Sequence, residues 1–192
     1  MKQIKALYYF PLYLSVFFLK NKVIKNDIEL WMSKIDFKKS NYLIFELLHY
    51  PEFRSLIYYR FKRKNRIIRI LVKAFSFLYA PQKSLFIHTK NIGKGFFIEH
   101  GFSTIISAES VGMNFHINQN CTIGWSNAGA PRIGDNVKVH CNSVIIGNIN
   151  IGDNTTIGAG AVVTKTIPDN CVVVGNPARI INQDGKKVNL PL

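Results

Sequence analysis

The sequence predicts a mainly β fold: a left-handed parallel β-helix preceded by an α-helical N-terminal region. Three observations predict it. Apolar residues recur at every sixth position through the second half of the chain. All 13 glycines among the 192 residues lie at or after Gly93. Of 24 aromatic residues, 18 precede residue 86, in a stretch whose 17 basic and 5 acidic side chains leave it at +12. Residues 86–192 carry 8 basic and 6 acidic side chains and stand at +2, so the formal charge of +14 belongs almost wholly to the glycine-free half. Two structures on one chain are expected, with a boundary near Pro81: a helical region over 1–85, a β-helix over 86–181 and a C-terminal tail over 182–192. At 47% apolar and 19% charged, the chain is neither a disordered tail nor a low-complexity segment. Three cysteines without a CxxC pair or a Cys/His ligand spacing argue against a disulfide scaffold and a zinc module, and no metal is expected. A reducing, cytoplasmic setting is the default.

The helical region comes first. Ala6 to Leu19 is a run of 14 uncharged positions between Lys5 and Lys20. No small-residue cleavage site follows it, which argues against a signal peptide. A bilayer span takes about 20 residues, and Pro11 interrupts the run, so a buried or interfacial helix remains. Asn26 with Glu29 reads as a capping box that opens a helix to about Lys38. Ser40 is placed to cap a second helix ending near His49, and Pro51 starts the longest one, to about Tyr79. Within it Lys62, Arg66, Arg69 and Lys73 form one stripe, and Ile67, Leu71, Phe75 and Leu78 form another on the opposite side. No acidic residue occurs from Phe53 to Leu85. Such a helix is a solvated face above an inward apolar side, a surface for anionic membrane, or a site for a polyanionic acceptor. Nucleic acid is disfavoured, because no nucleic-acid motif accompanies the charge.

The repeats follow. Ile133, Val139, Ile145, Ile151, Ile157 and Val163 recur every six residues, as do Ile105, Val111, Ile117 and Ile123 upstream, and Phe86, Ile92 and Ile98 before them. A period of six fits neither an α-helix nor a hairpin. It fits short strands joined by tight turns, with one side chain per strand pointing to a narrow interior. Glycine and Asn/Asp supply the turns, twice as Gly134-Asp135-Asn136 and Gly152-Asp153-Asn154. Small or apolar residues such as Cys121, Val137, Ser143, Thr155 and Ala161 stand four after the apolar position. Three hexads make one triangular coil, so about thirteen stack into four or more coils. The cysteines in these repeats read as structural. The period breaks between Ile98 and Ile105 and again between Ile123 and Ile133, where Trp125 to Arg132 form an external loop.

The hexads, with Ile98-Glu99-His100-Gly101, Gly158-Ala159-Gly160-Ala161 and Gly175-Asn176-Pro177-Ala178-Arg179, resemble the hexapeptide-repeat acyltransferases. Within them the chain resembles the serine acetyltransferase group, and within that group it most resembles the sugar O-acetyltransferases of capsule and O-antigen synthesis. The resemblance is strong from Phe86 to Ile181. Tyr50-Pro51-Glu52-Phe53-Arg54 also resembles the helical segment before the β-helix in the sugar-modifying branch. The resemblance implies acetyl transfer from acetyl-CoA to a hydroxyl, which needs a base for the hydroxyl proton and stabilisation of an oxyanion. His100 matches the family's catalytic histidine, and a neutral imidazole with a pKa near 6.5 suits the task. Glu99 matches an acceptor-contacting acidic position, with Trp125 beside it as a loop candidate. The oxyanion donor is implied to be a backbone N–H near Gly124 or Trp125. Pantetheine is implied to meet backbone around Cys141 and Ala159, with Gly160 permitting close approach. Lys165 and Arg179 are candidates for the CoA phosphates, and Asn176-Pro177 for the turn near the adenine. His88, His116 and His140 lie on the coils without an assigned role. Trimers are the implied assembly, with Phe96, Phe97, Phe102 and Phe115 as candidate interface residues.

Two departures from the serine enzymes bear on the acceptor. The aspartate that orients the histidine falls here at Leu85 or Phe86, so another group must orient His100. The loop's Arg-His pair, which binds serine's carboxylate, is replaced by Gly129-Ala130-Pro131. The first 85 residues also fall short of the serine enzymes' long helical domain. These departures point to a sugar hydroxyl of a surface polysaccharide or its precursor, reached at the inner face of the membrane. Serine O-acetylation for cysteine synthesis and a non-catalytic β-helix binding membrane or polyanion are the alternatives.

Overall fold

The computed structural model describes residues 2–19, 21–35 and 43–192. The chain forms two compact units, Met1–Lys83 and Ser84–Leu192.

The first unit holds helices α1 (Lys2–Leu19), α2 (Lys22–Lys34), α3 (Leu43–Leu47), α4 (Pro51–Lys62) and α5 (Arg66–Leu78). Its core gathers Leu12 and Val16 of α1, Trp31 of α2, and Phe53, Ile57 and Phe61 of α4. Two arginines serve this core. Arg60 pairs with the fully buried Asp27, Nε to Oδ2 at 2.8 Å and Nη2 to Oδ1 at 3.2 Å. Arg54 donates to the carbonyls of Ala80 at 2.9 Å and His49 at 3.0 Å and also to that of Leu48. Removing either partner of the Asp27–Arg60 pair would strand a buried charge.

Several helix boundaries differ from the expected ones. α1 continues through Pro11. α2 opens a turn before the expected capping box, because Asn21 accepts from the Ile24 N–H at 3.1 Å; Asn26 and Glu29 pair side chain to side chain inside the helix. The expected cap at Ser40 lies outside the described residues. The long helix from Pro51 is two, broken at Arg63 to Asn65, where Asn65 caps α5 by accepting from Ile68 N–H at 3.0 Å. Lys62 therefore belongs to α4, off the basic stripe of α5.

The second unit is a parallel β-helix with three sheets. The first contains β1 (Leu85–Ile87), β4 (Thr104–Ile106), β7 (Thr122–Gly124), β10 (Val144–Ile146) and β13 (Val162–Val163). The second contains β2 (Asn91–Ile92), β5 (Ser110–Val111), β8 (Arg132–Ile133) and β11 (Asn150–Ile151). The third contains β3 (Phe97–Ile98), β6 (His116–Ile117), β9 (Lys138–Val139), β12 (Thr156–Ile157) and β14 (Cys171–Val174), extended by antiparallel β15 (Arg179–Gln183) and β16 (Lys186–Pro191). About five coils stack, and each of their strands places one aliphatic residue toward the interior; the second sheet has four strands, with Ile167 bridging to Ile151 beyond them. Ile98, Ile117, Val139, Ile157 and Val173 form one such column, all buried. Cys121, Val137, Ser143, Thr155 and Ala161 fill the corners between columns and are fully buried.

The Gly-Asp-Asn turns have a physical account. A Cβ on Gly152 would stand 2.5 Å from the Asp169 backbone nitrogen, so only glycine lets these coils approach. The following aspartate accepts a backbone N–H from the coil before: Asp135 from Met113 at 2.6 Å, Asp153 from Asp135 at 2.7 Å, Asp169 from Asp153 at 2.8 Å. The asparagine takes the left-handed conformation and continues a ladder. Asn114, Asn136, Asn154 and Asn170 have φ of 55–58°, and each amide donates to the next, ending on Asp184.

Three sequence expectations are corrected in this unit. The interior residues of β1 and β4 are Ile87 and Ile106, while Phe86 and Ile105 point outward and are exposed. Thr104 and Ile106 share the inner side of β4 because alternate strand residues face the same way. Phe96, Phe97 and Phe115 are buried within the chain, and of the four aromatics expected at an interface only Phe102 is exposed. The expected tail from residue 182 continues a hairpin, turned by Asp184 and Gly185 at φ 50° and 78° and pairing β15 with β16. Pairing β14 with β15 covers an otherwise open sheet edge.

Candidate active site

Glu99 and His100 end the third-sheet side of the first coil. The register places Phe97 beside His116 and Ile98 beside Ile117. The Glu99 N–H donates to the Ile117 carbonyl at 2.9 Å, which sets Glu99 above Asn118 one coil along. The Glu99 carboxylate accepts from His116 Nε2 at 2.9 Å and from Asn118 Nδ2 at 3.0 Å, both on Oε2. Partial burial works to raise the Glu99 pKa, but the His116 hydrogen bond and charge, the Asn118 amide and the nearby His100 together hold it below the usual carboxylate value. His140 extends the cluster, its ring 6.4 Å from that of His116. His100 is exposed and takes φ 60°, a left-handed turn conformation that throws the chain toward β4. Among the described residues no side chain hydrogen-bonds its ring.

The corner that His100 occupies recurs down the stack. The Gly160 N–H donates to the Cys141 carbonyl at 2.9 Å, and Asn142 donates to Gln119 at 3.2 Å. Asn120, Asn142 and Gly160 occupy the same left-handed turn position, with φ of 57°, 61° and 71°. A Cβ on Gly160 would meet nothing within 4 Å, so backbone conformation accounts for this glycine without a ligand. Cys141, Ala159 and Gly160 thus line one edge with His100.

Gly124, Trp125 and Lys165 lie elsewhere, at the corner that follows the first sheet. The loop there is self-bonded: Ser126 N–H donates to Gly129 at 2.9 Å and Gly129 N–H donates back at 3.0 Å. Trp125 at its base is 68% exposed, too open for a core residue. Arg132 after the loop pairs with Glu109. Asn176 and Pro177, joined by a cis peptide, form the turn between β14 and β15, and Arg179 donates from Nε to Asn189 Oδ1 at 2.7 Å. One chain therefore presents its candidate base and its candidate oxyanion donors at opposite ends of the first sheet. His88, whose Nδ1 lies 3.0 Å from Ser107 Oγ, sits at the second corner too.

Asn118 escaped the sequence reading, and His116 was named without its partner. Both lie one coil, 17 and 19 residues, from Glu99, so the coil repeat was the signal that pointed to them. Among the described residues no group of three or more His, Cys, Asp or Glu is placed to hold a metal ion.

The family model for the bacterial transferase hexapeptide (six repeats) matches residues 130–165. Over those residues the chain carries repeats similar to the bacterial hexapeptide transferases. It is 33% identical over 151 residues to a serine acetyltransferase of Synechococcus elongatus, an alignment covering 74% of this chain and 62% of that relative. The chain thus spans less than two thirds of that relative's length. Among solved structures it is similar to the serine acetyltransferase of Neisseria gonorrhoeae, with TM-score 0.66 and 27% identity over 86% of this chain and 66% of the other. It is also similar to that protein in complex with serine, with TM-score 0.63 and 28% identity over 82% and 67%.

These similarities overturn the expected polysaccharide acceptor and the expected closeness to capsule and O-antigen enzymes. The glycan reading rested on the Gly129-Ala130-Pro131 segment and on a short helical region. The likeness to serine acetyltransferases runs over 151 residues and so outweighs one loop.

Proposed function

We propose that this protein transfers the acetyl group of acetyl-CoA to the hydroxyl of serine, with His100 as general base. The observation that carries this reading is the 151-residue similarity to a serine acetyltransferase, joined by an exposed imidazole beside an ionised carboxylate. His100 takes the hydroxyl proton as the oxygen attacks the thioester carbonyl; the C–S bond then breaks and the proton passes to the CoA thiolate. Glu99 meets the acceptor through Oε1, the oxygen that His116 and Asn118 leave open. A backbone N–H near Gly124 or Trp125 meets the oxyanion, pantetheine runs along the Cys141–Gly160 edge, and Lys165 and Arg179, with the Asn176-Pro177 turn, hold the nucleotide end. Since base and oxyanion donors occupy different corners of one chain, a trimer that sets one chain's His100 edge against a neighbour's loop completes the site. No cation lies between Trp125 and Pro131 to meet serine's carboxylate, so a high KM for serine is expected.

The test supplies acetyl-CoA and serine and follows free thiol. Serine-dependent CoA release is expected, with His100→Ala about 100- to 10,000-fold slower in kcat. Release that ignores serine, or an undiminished rate in His100→Ala, overturns the reading.

A further inference from the structure

The stripe read from the sequence of α5, Ile67, Leu71, Phe75 and Leu78, is split in the structure: Phe75 packs, while Ile67, Leu71 and Leu78 are turned to solvent. Ile67, Ile70, Leu71, Ala74, Phe77 and Leu78 recur at i, i+3, i+4, i+7, i+10 and i+11, and all are exposed, Phe77 at 90% and Ile67 at 70%. The packed side is a second stripe, Ile68, Val72, Phe75 and Tyr79, buried or half-buried. Between the two run Arg66, Arg69 and Lys73, spaced i, i+3 and i+7 and exposed. The patch continues onto α1. Tyr8 Oη donates to the Leu78 carbonyl at 2.8 Å, and Tyr79 Oη donates to the Tyr8 carbonyl at 2.9 Å, so the exposed Leu7 and Tyr8 adjoin the C-terminal end of α5. A contiguous apolar surface of this kind marks a site that something covers.

Charge decides between a second copy and a lipid surface. A second copy would set this cationic border against its own image, and no acidic residue from Phe53 to Leu85 is there to meet it. Of the acidic residues before Phe53, Asp27 is already buried against Arg60. Anionic headgroups complement Arg66, Arg69 and Lys73, while the headgroup–acyl boundary receives the apolar stripe. Among the described residues no helix is long and apolar enough to cross a membrane, which leaves lying on it.

We propose that the exposed face of α5, continued by Leu7 and Tyr8 of α1, rests on an anionic membrane surface. The test floats full-length protein with vesicles of phosphatidylcholine alone and of an equimolar phosphatidylcholine–phosphatidylglycerol mixture, at low and high salt. Binding to the mixed vesicles only, and its loss at high salt, are expected. Each basic residue near such a surface contributes a factor of about five, so the triple variant Arg66→Gln/Arg69→Gln/Lys73→Gln should bind on the order of 100-fold more weakly. Phe77→Ser/Leu78→Ser should lose binding too. Both variants should keep wild-type acetyl transfer in solution, which shows that they fold and separates this proposal from the catalytic one. No binding to mixed vesicles, equal binding to both compositions, or an oligomer that Phe77→Ser/Leu78→Ser dissociates in the absence of vesicle binding would overturn it.

Discussion

Glu99 illustrates how single residues are tuned by neighbours one coil away. His116 and Asn118 hold its carboxylate ionised, and its pKa falls below the ordinary 4.5 despite partial burial. A depressed carboxylate pKa contributes stability that is full above the unfolded value and is lost as pH falls through the folded one. Glu99→Gln should therefore lower Tm at pH 7, and the gap to wild type should narrow below about pH 4; thermal melts at both pH values check this. The cysteines make a second residue-scale prediction. Burial pushes the Cys121 thiol up, and burial with the Asp184 and Asp169 charges pushes Cys171 up, so neither presents a thiolate. Cys141 is half-exposed on the edge assigned to pantetheine. A thiol reagent at pH 8 should label Cys141 alone in the native protein, and acetyl-CoA should slow that labelling.

At the scale of the element, strand register matters most. Ile105 and Ile106 have the same composition and nearly the same place in the sequence, yet only Ile106 is interior. Ile106→Ala should cost about 2–5 kcal/mol and Ile105→Ala less than about 1 kcal/mol, read from denaturant midpoints. The hexad count was legible because each strand buries one aliphatic residue. The slip at β4 was not, because a two-residue choice between β-branched neighbours is settled by pairing with β7, where Ile106 meets Ile123. α5 gives the same lesson. Two apolar stripes share the helix, and a hydrophobic pattern alone does not say which one finds the core. Packing chose the Ile68–Val72–Tyr79 side, leaving the stripe with Phe77 outside.

For the whole molecule, the two units carry different chemistry. The β-helix is nearly neutral, and the helical unit holds most of the +14. If the site is shared between chains, the native mass should be three times 21.9 kDa, and an inactive His100→Ala chain co-assembled with an inactive loop variant should regain activity; analytical ultracentrifugation and mixing assays check both. What the sequence by itself determined was the β-helix, the turn chemistry of Gly-Asp-Asn, the uneven charge and His100 as the candidate base, since each rests on local periodicity or on a contiguous motif. What only the tertiary structure decided was the Glu99–His116–Asn118 cluster, the inward choice of Ile106 over Ile105, the solvent-facing stripe of α5 and the separation of His100 from Gly124. Coil spacing explains this. Ile106 to Ile123 spans 17 residues and Ile123 to Ile145 spans 22, so which residues become neighbours depends on how each coil closes. Contacts between coils are fixed by backbone pairing, and sequence distance records that pairing only where no loop intervenes.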